Sequence, residues 1–193
     1  MDRDHFMPTR TLILVRHGQY HTTRDDVRHG QLTPLGVKQV TRVAKRLAKF
    51  PIDAIHVSTM PRALETAKLI GAMLPDIPHR QTQLLREGLP TAIKGLSHEQ
   101  RQRVPIDRAR MERAFGKYFR PAGTRNRMEL LVCHGNIIRY LMRRALDDPP
   151  YKWLRGDVMH TGLCMVAIRR KGRTILLGFN DVGHLPQSLQ SST

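Results

Sequence analysis

The sequence predicts an α/β fold, a three-layer α/β/α sandwich with a mainly parallel central sheet. Three observations carry that reading. Short apolar, β-branched runs alternate with amphipathic helical segments, the pattern of strand–helix–strand units. The strand candidates end in polar residues at the edge where open α/β sheets bind ligands. No repeat and no linker divides the 193 residues, so positions 1–193 are expected to form a single domain.

Residues 1–10 read as a loose N-terminal arm. The first strand is expected over 11–15, where Leu12-Ile13-Leu14-Val15 runs directly into Arg16-His17-Gly18. Gly18 is expected to let the backbone turn sharply and approach a ligand. A polar loop follows over 20–31. Thr33 suits a helix N-cap and Pro34 the first helical position. Val40, Val43, Ala44 and Leu47 then form one helical face, and Pro51 is expected to stop the helix. A second strand is expected over 54–58. Pro61 opens a second helix with Ala63, Ala67, Ile70 and Leu74 on its buried face. Arg62 falls in the first turn of that helix, an unfavourable place for a cation unless an anion binds there.

A brief strand is expected over 83–86, followed by Glu87-Gly88. From 91 to 127 the chain turns polar and basic, and reads as a substrate-side excursion over the sheet edge. Within it Met111, Ala114, Phe115 and Tyr118 predict a helix over 106–119. The next strand is expected over 129–133. His134-Gly135-Asn136 follows it, and Ile137, Ile138, Leu141 and Ala145 form a helix face ended by Pro149-Pro150. A hairpin is expected from 163–168 and 174–177, turning at Lys171-Gly172. The tail from 186 to 193 is polar and expected to fray.

The net charge is +17, from 33 Lys+Arg against 16 Asp+Glu, and it favours acidic partners. The basic residues are spread along the chain and aromatics make up only 5%, which argues against nucleic acid as the principal partner. No apolar run is long enough for a transmembrane anchor, and no secretory signal is visible. Cys133 and Cys164 lack metal-ligand spacing and read as reduced, buried thiols, which favours a cytoplasmic setting.

Taken together, the expected strand ends supply Arg16, His17, Arg62, Glu87 and His134. Phosphoryl transfer uses such a set. Guanidinium forks hold the equatorial phosphate oxygens. A neutral histidine can attack phosphorus and form a covalent intermediate. A carboxylic acid can protonate the leaving alkoxide and then take a proton from water. A second histidine before a helix N-terminus can donate to a phosphate oxygen.

In order and spacing these residues resemble the histidine phosphatase superfamily, also called phosphoglycerate mutase-like. The matching segments are Arg16-His17-Gly18, Ser58-Thr-Met-Pro-Arg62-Ala-Leu-Glu65-Thr66 and Cys133-His134-Gly135-Asn136. Further segments are similar to its mitochondrial serine/threonine protein phosphatase members: Gln19-Tyr20-His21, Leu32-Thr33-Pro34-Leu35-Gly36, Leu84-Leu85-Arg86-Glu87-Gly88, Asn136-Ile-Ile-Arg139-Tyr140 and Trp153-Leu154-Arg155. The resemblance covers about 11 to 186. It implies His17 as phosphoryl acceptor, Glu87 as proton donor, and Arg16, Arg62 and His134 as the rest of the phosphate pocket. It implies no metal and no organic cofactor. The expected substrate is a phosphorylated protein, with a small sugar or nucleotide phosphate ester as the alternative. A basic module that recognises phosphate without turnover is a further alternative.

Three departures from the family pattern are visible. The membrane anchor and oligomerising segment of the mitochondrial members are expected to be missing, since the chain begins almost at its first strand. Homo-oligomerisation is left open, and mitochondrial placement stands by resemblance only. The stretch 91–104 is short and basic where those members are longer and proline-rich. Gln19 follows Arg-His-Gly where the general mutases carry Glu.

The other histidines, His5, His21, His29, His56, His79, His98, His160 and His184, form no His-x-His or His-Glu-x-x-His pattern and read as surface or locally bonded residues. Glu65 is expected to pair with Arg62 one helical turn away. Asn136 is expected to cap a helix.

Overall fold

The computed structural model describes residues 7–23 and 30–192. The expectations for 1–6, 24–29 and 193, including His5 and His29, lie outside the described residues. Six strands form one sheet: β1 (Arg10–Arg16), β2 (Ala54–Ser58), β3 (His79–Thr82), β4 (Arg127–Cys133), β5 (Leu163–Ile168) and β6 (Thr174–Asp181), in the order β3-β2-β4-β1-β5-β6. The pairings β3–β2, β2–β4 and β4–β1 are parallel, whereas β1–β5 and β5–β6 are antiparallel. Helices α1 (Pro34–Leu47), α2 (Pro61–Gly71), α3 (His98–Tyr118) and α4 (Gly135–Ala145) cover the sheet.

Residues of β1 alternate between two cores. Leu12 and Leu14 pack with Met111 and Ala114 of α3 and Ile137 and Leu141 of α4. Ile13 and Val15 pack with Val40 and Val43 of α1 and Ala63 and Ile70 of α2. The period of two therefore divides the helices between the faces and makes the three-layer sandwich. Each of these fully buried Leu, Ile or Val side chains contributes roughly 1.5–3 kcal/mol. The chain leaves β1 toward β2 on one side, and β4 inserts between them. The carboxyl ends of β1 and β4 therefore flank a topological switch point, where such sheets open a crevice.

The start of α1 follows the expected chemistry: the Thr33 hydroxyl accepts from the Gly36 N–H at 3.0 Å. Its end does not. The helix closes at Leu47, and tight bonds from Lys49 to Arg46 (3.2 Å) and from Phe50 to Leu47 (3.0 Å) turn the chain before Pro51 is reached. The helix α4 likewise ends at Ala145, before the prolines, with Asp147 at φ 55. The third strand lies at His79–Thr82 rather than over 83–86. It pairs with β2 from Ile55–His79 to Ser58–Thr82, and as an edge strand it needs no apolar run. The apolar pair behind the expectation, Leu84 and Leu85, forms a short 3₁₀ turn capped by the Thr82 hydroxyl (3.2 Å), with Leu85 buried.

Helix α3 begins eight residues before the predicted start. Ser97 and Gln100 form a reciprocal capping box, and the helix continues through Pro105. Its first half is largely exposed, so no apolar period marks it. Its second half joins the core through Met111, Ala114 and Tyr118. Two termini are tied down where looseness was expected. Arg10 opens β1, and the Thr9 N–H donates to Asn126 Oδ1 at 2.9 Å. At the other end, Gln39 Nε2 donates to the Leu189 carbonyl and the Ser191 hydroxyl, both at 2.8 Å, and the His160 N–H donates to the Ser191 carbonyl at 3.0 Å. Among the described residues no helix is long and apolar enough to cross a membrane.

Candidate active site

The strand β1 delivers Arg16 and His17 to the switch-point crevice. The His17 N–H donates to the Cys133 carbonyl at 3.0 Å, so the backbone of β4 continues to hold it past the strand end. The turn after His17 is fixed by packing. A Cβ on Gly18 would stand 2.8 Å from the Gly36 carbonyl oxygen, and one on Gly36 would stand 2.0 Å from the Gln19 carbonyl oxygen. The close approach of α1 is thus by itself a reason for glycine at position 18. Its N–H donates to the Thr66 hydroxyl (3.2 Å), which donates to the Arg62 carbonyl (2.7 Å) and ties α2 to this turn.

The His17 ring is almost wholly buried, at 2% exposure. Its Nδ1 lies 2.8 Å from the Gly18 carbonyl oxygen, and Arg62 Nε donates to its Nε2 at 3.0 Å. The carbonyl can only accept and the guanidinium can only donate. This pair of partners therefore selects the tautomer with the proton on Nδ1 and a lone pair on Nε2. Burial, His134 and Arg62 push the His17 pKa well below its ordinary value, with the Gly18 bond opposing and Arg16 adding to the shift. The ring is neutral at neutral pH.

His134 directly follows β4, as the N-cap of α4, and sits 5.0 Å from the His17 ring, centroid to centroid. Its Nε2 lies 2.7 Å from the Ser58 hydroxyl at the end of β2, and its buried Nδ1 has no hydrogen-bond partner among the described residues. Burial, then Arg62, Arg16, Arg110 and Arg86, hold its pKa well below the ordinary value. Arg16 Nη1 donates to the Val158 carbonyl at 2.7 Å. Arg62 stacks over the Tyr20 ring at 4.5 Å, and Tyr20 in turn meets His17 edge-on at 5.1 Å.

Glu87 reaches the site from a loop, five residues after β3 ends, and not from a strand end. Its carboxylate accepts from the Gly88 N–H (3.1 Å) and the Asn136 N–H (3.3 Å). Burial raises its pKa, only partly offset by those two bonds and by Arg62 and Arg16. Arg110 of α3 pins the loop: it donates to the carbonyls of Leu84 (3.3 Å), Arg86 and Glu87 (3.0 Å) and to Asp107 (2.9 Å). The basic segment thus supplies the support of Glu87.

These groups surround a cavity of about 640 Å³, whose walls include Arg16, His17, Arg62 and Glu87 together with Tyr20, Arg139 and Asp157. His134 adjoins this wall through its contact with His17. All five predicted site residues are brought together. Glu65 departs from expectation: it accepts from the Leu32 N–H at 2.7 Å, while Arg62 faces His17. Asn136 does not cap α4, whose N-cap is His134; it lies in the first turn and donates through Nδ2 to the Gly88 carbonyl at 3.2 Å. His79 and His98 are exposed as expected, but His56 and His160 are buried. The His160 ring lies 5.7 Å from His17 and its Nδ1 lies 2.9 Å from the Ser191 hydroxyl. Both cysteines are buried and reduced, and burial raises the Cys164 thiol to about 12. Sequence reasoning missed Tyr20, Arg110 and Arg139 as parts of the site. The spacing of Asp107 and Arg110, one helical turn apart, was the only local signal for the second of these.

The arrangement is a cavity lined by arginines, with a neutral, oriented imidazole at its base and a carboxyl group of raised pKa on its wall. The family model described as histidine phosphatase superfamily (branch 1) matches residues 12–129 and 107–181. The chain is 38% identical over 194 residues to "Serine/threonine-protein phosphatase Pgam5, mitochondrial" of Caenorhabditis elegans, spanning 96% of this chain and 67% of that one. It is 37% identical over 193 residues to the protein of the same description from Homo sapiens, spanning 95% and 67%. Among solved structures, a phosphoglycerate mutase from Plasmodium falciparum superimposes with a TM-score of 0.65 at 29% identity, covering 96% of this chain and 98% of the other. The family match spans the segments that carry Arg16-His17-Gly18, Arg62, Glu87 and His134, and by it the chain belongs to the histidine phosphatase superfamily (branch 1) and is a phosphatase.

Proposed function

We propose that this chain hydrolyses phosphoserine and phosphothreonine in proteins through a phosphohistidine at His17, as one catalytic domain. The observation that carries the mechanism is the pair of His17 contacts, Nδ1 to the Gly18 carbonyl at 2.8 Å and Nε2 to Arg62 at 3.0 Å. A phosphate entering the cavity takes the Arg62 donors, with Arg16 as the second guanidinium, and Nε2 is released toward phosphorus. The Nε2 lone pair forms the N–P bond as the ester P–O bond breaks. Protonated Glu87 gives its proton to the departing alkoxide. The resulting carboxylate takes a proton from water, the water oxygen attacks phosphorus, and the N–P bond breaks to release phosphate. His134 donates from Nδ1 to a phosphate oxygen, in the tautomer where Ser58 donates to its Nε2.

The protein substrate rests on the descriptions of the relatives, as does a mitochondrial setting, which their names support over the cytoplasmic expectation. A labelled phosphopeptide quenched rapidly in alkali tests the mechanism, since a phosphorus–nitrogen bond survives alkali and is labile in acid. Label is expected on the peptide containing His17. His17→Ala is expected to abolish label and turnover with unchanged circular dichroism. Label on Ser58 or His134, or turnover by His17→Ala above a few per cent, overturns the assignment. Turnover of small esters with none of phosphopeptides would keep the mechanism and overturn the substrate class.

A further inference from the structure

A second cavity, of about 540 Å³, opens at the other end of the sheet, where β1 and β4 begin. Arg10 stands at its wall, six residues from Arg16 along β1, so about 20 Å of strand separates it from the phosphatase site. Among the described residues six cations line it, Arg10, Arg80, Lys117, Arg120, Arg125 and Arg127, against a single carboxylate, Glu129. That carboxylate is already shared: Arg10 Nη1 lies 3.1 Å from one oxygen and Arg127 Nη1 3.9 Å from the other. Arg125 is held by Asp53 at 2.7 Å. Among the described residues no carboxylate pairs with Arg80, Lys117 or Arg120. Arg10 is nine-tenths buried, and among the described residues its Nε has no hydrogen-bond partner. Such a concentration of like charge around one concave space is self-repelling unless an anion occupies it.

We propose that this cavity is a second, non-catalytic site for a compact polyanion bearing a diphosphate group, either free or as the end of a nucleotide. Three features select that chemistry. The guanidinium groups offer fork-shaped donors suited to phosphate oxygens. The aromatic ring at its wall, Tyr118, is buried against His56 at 4.9 Å, so the cavity offers no exposed ring for a nucleic-acid base. The cation excess over the one shared carboxylate calls for more negative charge than a single phosphate monoester supplies. His56, 6% exposed, faces Arg80, Lys117 and Arg10, and burial together with those charges lowers its pKa to about 4. It is a built-in reporter, because an anion among those cations raises that value.

The test titrates sodium pyrophosphate into the full chain carrying Arg62→Ala, which disables the phosphatase cavity, at about 150 mM salt so that diffuse attraction is screened. One saturable site is expected by calorimetry, with the His56 ring resonances shifting in step. ADP is expected to bind at least as tightly; equal affinity means the diphosphate alone is read, and tighter binding means the nucleoside adds contacts. Adding Arg80→Gln, Lys117→Gln and Arg120→Gln, all exposed positions, should weaken binding by at least about tenfold, the worth of one charge-assisted contact or more. In a chain with intact Arg62 the same three changes should leave turnover of a phosphate ester within about twofold, which separates this site from the catalytic one. The proposal is overturned if no saturable heat appears, if His56 does not respond, if the triple change leaves binding intact, or if sulfate matches pyrophosphate. It is equally overturned if poly-glutamate binds this face and pyrophosphate does not.

Discussion

Replacing Glu87 with Gln removes the proposed acid while conserving its shape, and the structure sets two separate consequences. Both carboxylate oxygens accept a backbone N–H, from Gly88 and from Asn136. An amide can accept at only one end, so one of those donors loses its partner, at a cost of about 1–3 kcal/mol in stability. That cost is read in denaturant unfolding and kept apart from catalysis. The catalytic loss follows from the leaving group. A positioned general acid supplies about 10²–10⁴ in rate, or roughly 3–5 kcal/mol of barrier. A phosphoserine peptide needs that proton, so its kcat/KM should fall by such a factor. The nitrophenolate released from p-nitrophenyl phosphate needs it far less and should lose under about tenfold. The pH profile gives a second reading. Burial raises the Glu87 pKa, so the acid form persists above the ordinary carboxyl range and is lost as pH rises through the raised value. The wild-type rate of the first step should descend there, and Glu87→Gln should abolish that limb. Equal losses on both substrates, or a descending limb that survives the substitution, would refute the role.

Arg62→Ala should reduce kcat/KM by about 10²–10³, comparable to losing one preorganised donor; Arg62→Lys should recover little of it, because an ammonium does not reproduce the fork, and full recovery in steady-state assays would count against two-point binding. Gly36→Ala places a methyl 2.0 Å from the Gln19 carbonyl oxygen. It should destabilise the chain by about 1–3 kcal/mol and lower kcat by shifting the turn after His17; unchanged melting and kcat would show that α1 does not position that turn. Stability should also fall in mild acid. The buried His17, His56, His134 and His160 all have lowered pKa values, so the unfolded chain takes up more protons than the folded one. Their contribution is complete above the unfolded value near 6.5 and is lost as pH falls toward the folded values, about 4 for His56 and His160. Each contributes up to about 2 kcal/mol between pH 7 and 5, and about 1 kcal/mol moves Tm by roughly 2–4 °C in a chain of this size. Calorimetry should show Tm lower by up to roughly 15–30 °C at pH 5; a flat Tm would mean these rings protonate in the folded state.

The sequence by itself determined the layers and which polar residues meet at the crevice. Central strands covered on both faces carry near-continuous apolar runs, so residues 12–15 of β1 and 130–133 of β4 are legible, and the Arg16-His17 and His134 that follow them stand out against that background. The N-cap of α1 was legible for a local reason, one hydroxyl reaching one N–H three residues on. Elements held by distant partners were not legible. The strand β3 exists because β2 offers it an edge, and α3 extends through polar residues because only its second half packs. The tail is fixed by Gln39 and His160, far from it in sequence. Tertiary structure alone decided the chemistry of the site. The tautomer of His17 follows from a carbonyl and a guanidinium that converge on its two nitrogens, and the acidity of Glu87 follows from its burial beside α4. Both are properties of groups that share a space, and residue identity carries no record of which carbonyl, which arginine or how much water that space contains.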